Sequence, residues 1–548
     1  MNVTVIPKSR FGLVKLGILT SFFGGSFQLS LANDQTFLDS ISANPTSLFP
    51  LTNTDGESSG VTNLLFESLL DRHWDTYQWI PSLAKEWKVS PDGKEFTFKL
   101  DSNAKFWDGS KVTADDVKFS YDVIFMDGVE SASLKPYYDQ IEKVEVISPE
   151  EIKFRVKEVY YKNFDVVASL TIFKKSHYMD LYQKDKTLAK AESTKTPMGT
   201  GQWKIEKWDE SQQITMRRDD KYWNKKWEEK EGRWNYDRLI FKIIPEPSLE
   251  LEHLKKGNLT YMGLNPKQWA SQTDGAEFKT KIKKVQTVMK TAVGYNFVGW
   301  NLKHPILSNK DVRWALAHLV NLPLWTKNFD YNLTEPTVGP MSVKSEQHDP
   351  SVTSPKFDLK EARKRLKAAG WVKPDKDGIL IKDGKRFEIT IIYPTQSKET
   401  VEPKLTQYKN ECAKVGIQIN LKAVEWTSFT KLLDDRNFDA VTLGWSRAID
   451  PDVKQIWHSA SIADKGSNFV NYANPEVDKL IDEHRKTMDA KQRTDLARKI
   501  QKMIVEDQPY AFLSERKFTL YAHQSTVKKE RDSFPYSIGT SFWKLQAP

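Results

Sequence analysis

The stretch Gly444-Trp445-Ser446-Arg447-Ala448-Ile449-Asp450-Pro451-Asp452 puts two carboxylates either side of a proline, with a hydroxyl and a guanidinium just upstream. Two such acids can divide general acid and base work, join His458 around a hard cation, or meet the positive end of a ligand that is held and left unchanged. The spacing of Asp450, Asp452 and His458 matches no metal-ligand pattern. A purely structural reading also stands: Asp450 closes the turn at Pro451, and Asp452 opens a helix running through Ile456.

A second candidate for chemistry is Gly56-Glu57-Ser58-Ser59-Gly60, which has the G-x-S-x-G form of a nucleophile elbow. That device needs a strand before the serine and a helix after it, so that the hydroxyl is thrust outward. A helix is expected from Val61 to Leu70. Upstream, Pro50 and the polar Asn53-Thr54-Asp55 read as an irregular loop, so the glycines and hydroxyls are better explained as the opening of that helix. Among nine histidines and 25 glycines there is no H-E-x-x-H and no phosphate-cradling G-x-x-x-x-G-K-[ST], and the single cysteine, Cys412, rules out C-x-x-C and any intramolecular disulfide. No cofactor and no metal are expected.

The elements that must position these residues alternate between strand and helix. Phe96, Phe98 and Leu100 alternate after the turn Pro91-Asp92-Gly93 and read as one strand of a hairpin. Thr113 with Asp116 forms a helix start, and Val117, Tyr121 and Ile124 give that helix its buried stripe. A helix from Leu359 to Ala369 is stopped by Gly370. Another opens at Asn474-Pro475 with Val477 and Leu480 inward, and a third is capped by Asp489 with Leu496, Ile500, Met503 and Ile504 inward. The apolar run Ala440-Val441-Thr442-Leu443 is a strand that delivers Gly444-Trp445 at its end, where α/β folds gather ligands.

Size and composition bound the rest. At 548 residues the chain is long for one core, since domains run at roughly 150 residues each. Hydrophobic residues make up 39% and charged residues 28%, a globular balance, while 12% aromatics with 18 Trp supply more large rings than a core requires. Lys8, Arg10 and Lys15 precede the apolar Leu16 to Phe23 and the small-residue site Ser30-Leu31-Ala32, the pattern of a secretory signal peptide spanning 1–32 with cleavage after Ala32. No later run reaches the roughly 20 apolar residues of a membrane span. With no cysteine near the leader to carry a lipid, a free protein in a Gram-negative periplasm is expected. The formal charge of +9 is spread through 82 basic and 73 acidic residues without a long basic tract, which argues against nucleic acid as a partner.

The segment PSLAKEWKVSPDGKEFTFKLDSNAKFWDGSKVTADDVKFSYDVI, residues 81 to 124, closely resembles the signature of the family 5 extracytoplasmic solute-binding proteins, the peptide-binding type that feeds ABC importers. The likeness continues at Leu64 to Leu70, Pro197 to Trp208, Arg218 to Trp223, Tyr295 to Asn301, Val312 to Leu316 and Glu361 to Trp371, and includes the Gly-Trp segment. It implies an α/β, two-lobed periplasmic binding protein fold, type II-like, with an extra subdomain inserted in lobe I. By that resemblance lobe I holds 33–63, 197–291 and 511–548, the insert 64–196, and lobe II 292–510. It implies a monomer that captures peptides or peptide-like solutes in an interlobe cleft, closes about a hinge and docks on membrane permease subunits. The same fold in relatives holds sugars, nickel chelates or peptide antibiotics, and a secreted hydrolase is the rival class.

The resemblance also frames the opening motif. In the dipeptide and oligopeptide branches an aspartate soon after Gly-Trp accepts the ligand's α-amino group, and here that position is Ala448. Asp450 and Asp452 are left as substitutes, Arg447 as a cation for a ligand carboxylate, and Trp445 and Ser446 as cleft contacts. Thr54, Asp55 and Asn296 complete the ligand-binding set that the resemblance implies.

Overall fold

The computed structural model describes residues 35–53, 55–189, 195–290, 294–449 and 451–546. The signal-peptide reading, Thr54 and Asp450 lie outside the described residues.

A six-stranded mixed sheet, in the order Thr334–Pro336, Tyr510–Arg516, Tyr295–Trp300, Ala440–Trp445, Glu388–Pro394 and Gln418–Val424, forms the centre of one half of the molecule. Its strands are apolar on both faces, so the period of two sorts side chains into two cores. Val298, Trp300, Ile389, Ile391, Ala511 and Leu513 face one way. Tyr295, Phe297, Ile392, Val441, Tyr510 and Phe512 face the other. Helices cover both sides. Lys398–Ala413 lays Leu405, Tyr408 and Cys412 on the first core, while Pro475–Lys486 and Ala490–Asp507 cover the second.

The other half carries a four-stranded sheet, Thr36–Ile41, Arg238–Ile243, Gln213–Arg218 and Trp203–Asp209, and an antiparallel sheet of Ala84–Val89, Glu95–Leu100, Glu151–Val156 and Ile141–Ser148. One continuous core joins the two: Phe37, Trp203 and Met216 belong to the same buried cluster as Phe96, Phe98 and Phe154. The segment expected as an insert is therefore fused to its host by shared apolar burial.

Between the halves runs a three-stranded sheet of Tyr261–Gly263, Thr519–Gln524 and Ile282–Thr287. The chain passes from it into the six-stranded sheet twice, once after Thr287 and once, in the opposite direction, through Lys517-Phe518. The strands next to the two passages are neighbours in the six-stranded sheet, with Tyr295 paired to Glu515. The strand Tyr510–Arg516 runs whole within the six-stranded sheet, so a lobe boundary at 511 would cut through it.

Local signals read from sequence reappear with their physical causes. Asp116 accepts hydrogen bonds from the Thr113 amide and hydroxyl at 3.0 and 2.7 Å and opens the helix Ala114–Asp122. Asp358 caps the helix Leu359–Ala368, and Gly370 beyond it takes the left-handed φ of +85° that favours glycine. On Pro475–Lys486 the inward residues are Val477 and Ile481, with Leu480 only half-buried. The first long helix departs from expectation, spanning Gly56–Leu65 because Asp55 caps it by accepting from the Ser58 amide at 2.8 Å. Leu70 then pairs with Pro81 in a short strand, which a helix continuing to 70 would forbid.

Candidate functional site

The helix boundary decides the nucleophile question. Ser58 sits in the first turn, fully buried, with its hydroxyl donating to the Asp55 carboxylate at 2.7 Å and accepting from the Thr46 amide at 2.9 Å. Among the described residues between Ser42 and Asp55 no strand leads into it, and its oxygen points into the protein, so it is a capping group and no acyl acceptor. Asp55, named above as a ligand contact, is 6% exposed and serves the same cap, also accepting from the Thr46 hydroxyl.

The remaining candidates meet at the passages between the halves. A cavity of about 500 Å³ is lined from the three-stranded sheet by Tyr261, Thr519 and Leu520, from the six-stranded sheet by Asn296, Gly444 and Trp445, and by Ser446 beyond it. The strand Ala440–Trp445 ends at this cavity because Trp445 buries one side of its indole. The ring stacks with Phe469 and Phe297 at centroid distances of 5.6 and 6.5 Å, and its Nε1 donates to the Tyr510 hydroxyl at 3.1 Å. Phe297 and Tyr510 are themselves stacked at 3.9 Å, so the indole stands on a rigid aromatic floor. Two glycines make room for the arrangement. A Cβ on Gly444 would meet Asn296 Oδ1 at 2.9 Å, and one on Gly294 would meet the Trp445 carbonyl at 2.7 Å. Asn296 is exposed and its amide faces the cavity lining without a hydrogen bond to any described residue.

Arg447 is committed elsewhere. Its guanidinium lies 2.7 Å from Glu515 with side-chain exposures of 3% and 0%, donates to the Thr337 hydroxyl and to the carbonyls of Pro340, Gly339 and Met341, and covers the Tyr295 ring at 4.4 Å. The expectation that it meets a ligand carboxylate is corrected: the fork is filled by Glu515 and backbone.

Asp452 is likewise engaged. Its carboxylate is 3.0 Å from Arg485 Nε, accepts from the Tyr160 hydroxyl, and accepts from the Lys454 amide at 3.0 Å just ahead of the short helix Lys454–Trp457. The helix expected to open at Asp452 begins instead at Lys454 with Val453 as its cap, and Asp452 ties the two halves together, since Tyr160 belongs to the half that carries Glu95–Leu100. Burial opposes the charge on Arg485, yet Asp452 and Tyr160 outweigh it and raise its pKa. Burial, followed by the Asp452 charge, raises the Tyr160 phenol far above its ordinary range, so it stays a donor. His458 faces Asp478 and Asp482 at 3.8 and 3.5 Å and takes no part with Asp452 in a cation site. Among the described residues no cluster of three metal-ligating side chains occurs.

More contacts join the same surfaces. Tyr137 donates to Gln455 at 2.7 Å, Tyr161 to the Pro451 carbonyl at 3.0 Å, and Ser248 to Glu399 at 2.5 Å. A smaller cavity of about 200 Å³ lies behind the loop, lined by Ser446, Ala448, Tyr295, Trp457, Tyr137 and Lys162 among others. It shares Tyr295 and Ser446 with the larger cavity, and it shares Tyr137 and Lys162 with a third of about 430 Å³ bounded by Arg72, Trp79 and Leu134. The residues that sequence reading missed here, Tyr137, Lys162, Tyr261 and Arg516, sit on separate segments brought together only by strand pairing and closure.

The site is a group of adjoining cavities with both polar and apolar lining, drawn from both halves. Cavities of this kind hold a solute by backbone donors and acceptors, aromatic walls and a few charges.

Comparisons with known proteins agree with that form. A model described as bacterial extracellular solute-binding proteins, family 5 Middle, matches residues 78–467. The oligopeptide-binding protein AppA of Bacillus subtilis is 29% identical over 475 residues, covering 86% of this chain and 84% of that one. The solved structure of AppA from Bacillus subtilis in complex with a nonapeptide superposes with a TM-score of 0.83 at 26% identity, covering 94% of this chain and all of the other. The periplasmic binding protein DppA from Helicobacter pylori, in complex with the peptide STSA, gives a TM-score of 0.81 at 22% identity, covering 93% and 98%.

Proposed function

The chain belongs to the bacterial extracellular solute-binding proteins of family 5, and on that footing we propose that it captures peptides or peptide-like solutes between its lobes and hands them to the membrane permease of an ABC importer. It is a binding component and no enzyme. The observation that carries the reading is the cavity of about 500 Å³ whose walls come from both sheets. A ligand that touches both lobes favours the closed form by its difference in affinity for closed and open, so binding drives closure without any bond changing. Trp445, Ser446 and Asn296 are the proposed contacts, and Asp450 is kept as the proposed partner of a ligand ammonium. We take lobe I as 33–63, 197–291 and the chain from Lys517 onward, the insert as 64–196 and lobe II as 292–516. The protein is proposed to act as a monomer in the periplasm after removal of 1–32.

Protein stripped of endogenous solute by unfolding and refolding, then titrated with defined peptides of two to nine residues, tests this by calorimetry and small-angle scattering. Saturation with a fall in radius of gyration supports it. Saturation only by a sugar or by a nickel–histidine chelate overturns the peptide reading, and binding without change of radius overturns the closure.

A further inference from the structure

The charged lining of the larger cavity is one-sided. Lys344, Arg516 and Lys517 border it, and among the described residues no aspartate or glutamate does. Two of the three cations are occupied. Lys344 Nζ lies 3.2 Å from Glu335 and donates to the carbonyls of Arg516 and Lys517, and Lys517 Nζ donates to the Asn332 carbonyl at 3.2 Å. Arg516 is exposed, and its guanidinium makes no hydrogen bond or ion pair with a described residue.

The register explains where it stands. Glu515 pairs with Tyr295 and turns toward Arg447, so the next residue, Arg516, is carried to the opposite face, opposite Gly294 and on the side of Asn296. Gly294 has no side chain to block the approach.

We propose that Arg516 receives a carboxylate of the ligand and that this cavity selects carboxylate-bearing peptides over neutral or cationic ones, an inference that rests on the peptide reading above. A guanidinium matches a carboxylate with two parallel N–H···O bonds, and a lining with no acid among its described residues leaves that fork to the ligand. A neutral ligand would close the lobes over an unpaired charge, and a cationic one would add repulsion.

The carboxylate comes from the peptide's C-terminus or from an acidic side chain, and the test separates them. The probe is a defined set of tri- to nonapeptides, each made as free acid and as C-terminal amide, with and without one glutamate, and read by native mass spectrometry against stripped parent, R516Q and R516K. Thermal melts confirm that each variant is folded. The parent is expected to favour carboxylate forms by about 10-fold or more, with R516Q binding both forms alike and R516K falling between. A preference tied to the free acid assigns the C-terminus, and one tied to glutamate assigns the side chain. If the parent binds peptides without preference, or R516Q keeps the preference, the assignment to Arg516 is overturned while the peptide reading stands. If no peptide binds to folded parent, both fall together.

Discussion

Asp452 and Arg485 stand 3.0 Å apart with side-chain exposures of 3% and 4%, and the Tyr160 hydroxyl closes on the same carboxylate from the other half of the molecule. A charge pair this dry depends on both members, and the phenol makes it a latch as well as a strut.

Removal of the phenol hydroxyl tests the latch. Tyr160→Phe leaves the ion pair but withdraws one charge-assisted hydrogen bond, worth roughly 1.5 to 3 kcal/mol, from the closed form alone. Ligand release measured by stopped-flow fluorescence is expected to accelerate in Tyr160→Phe with little change in the melting temperature of the empty protein. Unchanged release would show that the contact persists in the open form too.

Deleting one partner of the second buried pair tests a different property. Glu515→Ala strands the Arg447 guanidinium, and breaking a buried pair in this way costs about 3 to 5 kcal/mol. Denaturant melts should register that loss, whereas a loss below about 1 kcal/mol would put Arg447 back among the residues able to serve a ligand.

Ser58 offers a cheap check on the non-enzymatic reading. Its hydroxyl joins the Asp55 cap to the Thr46 amide, so Ser58→Ala is expected to lower stability by about 1 to 2 kcal/mol and to leave ligand affinity unchanged. A serine-directed fluorophosphonate should leave the native protein unlabelled. Stoichiometric labelling at Ser58 would reopen the hydrolase class.

One buried acid should lose its contribution to stability as the solution turns from acid to neutral. Glu228 is 7% exposed, and its pKa is pushed up from 4.5 to about 7, first by burial, which the Arg233 charge opposes, and further by Glu67. Between those values the folded chain holds a proton that the unfolded chain has lost. The contribution is therefore full below pH 4.5, is lost as pH rises toward about 7, and levels off above it, amounting to about 3 kcal/mol at the outside. Glu228→Gln should remove that part of the slope between melts at about pH 5 and about pH 8. A slope identical to the parent's would remove Glu228 from the account.

Much of the framework was legible because its signals are local. Caps such as Asp358 and Asn474 and the alternation of Phe96, Phe98 and Leu100 act within a turn or along one strand, and the Gly-Trp strand end did mark the cavity. What could not be read are the partners set by register. Arg447 looks like a ligand group until Tyr295 pairs with Glu515 and brings the carboxylate beside it, and Asp452 looks available until Tyr160 arrives from 292 positions away. Asp55 was misread for a nearer reason: its polar neighbours suit a loop as well as a cap, and only the Ser58 amide distinguishes them. Arg516 shows no pattern at all along the chain, since what singles it out is that its neighbours Lys344 and Lys517 are occupied while it is not.

The two chain passages that join the halves have a mechanical consequence. Because they leave from neighbouring strands, paired at Tyr295 and Glu515, the halves are joined along one edge and should open about one axis, as a book does about its spine. The spine is also doubled. A protease that cuts beside Val288, which is 65% exposed, severs one thread and leaves the other running through Lys517-Phe518, so the nicked protein should stay in one piece under native conditions and come apart into two fragments only when unfolded.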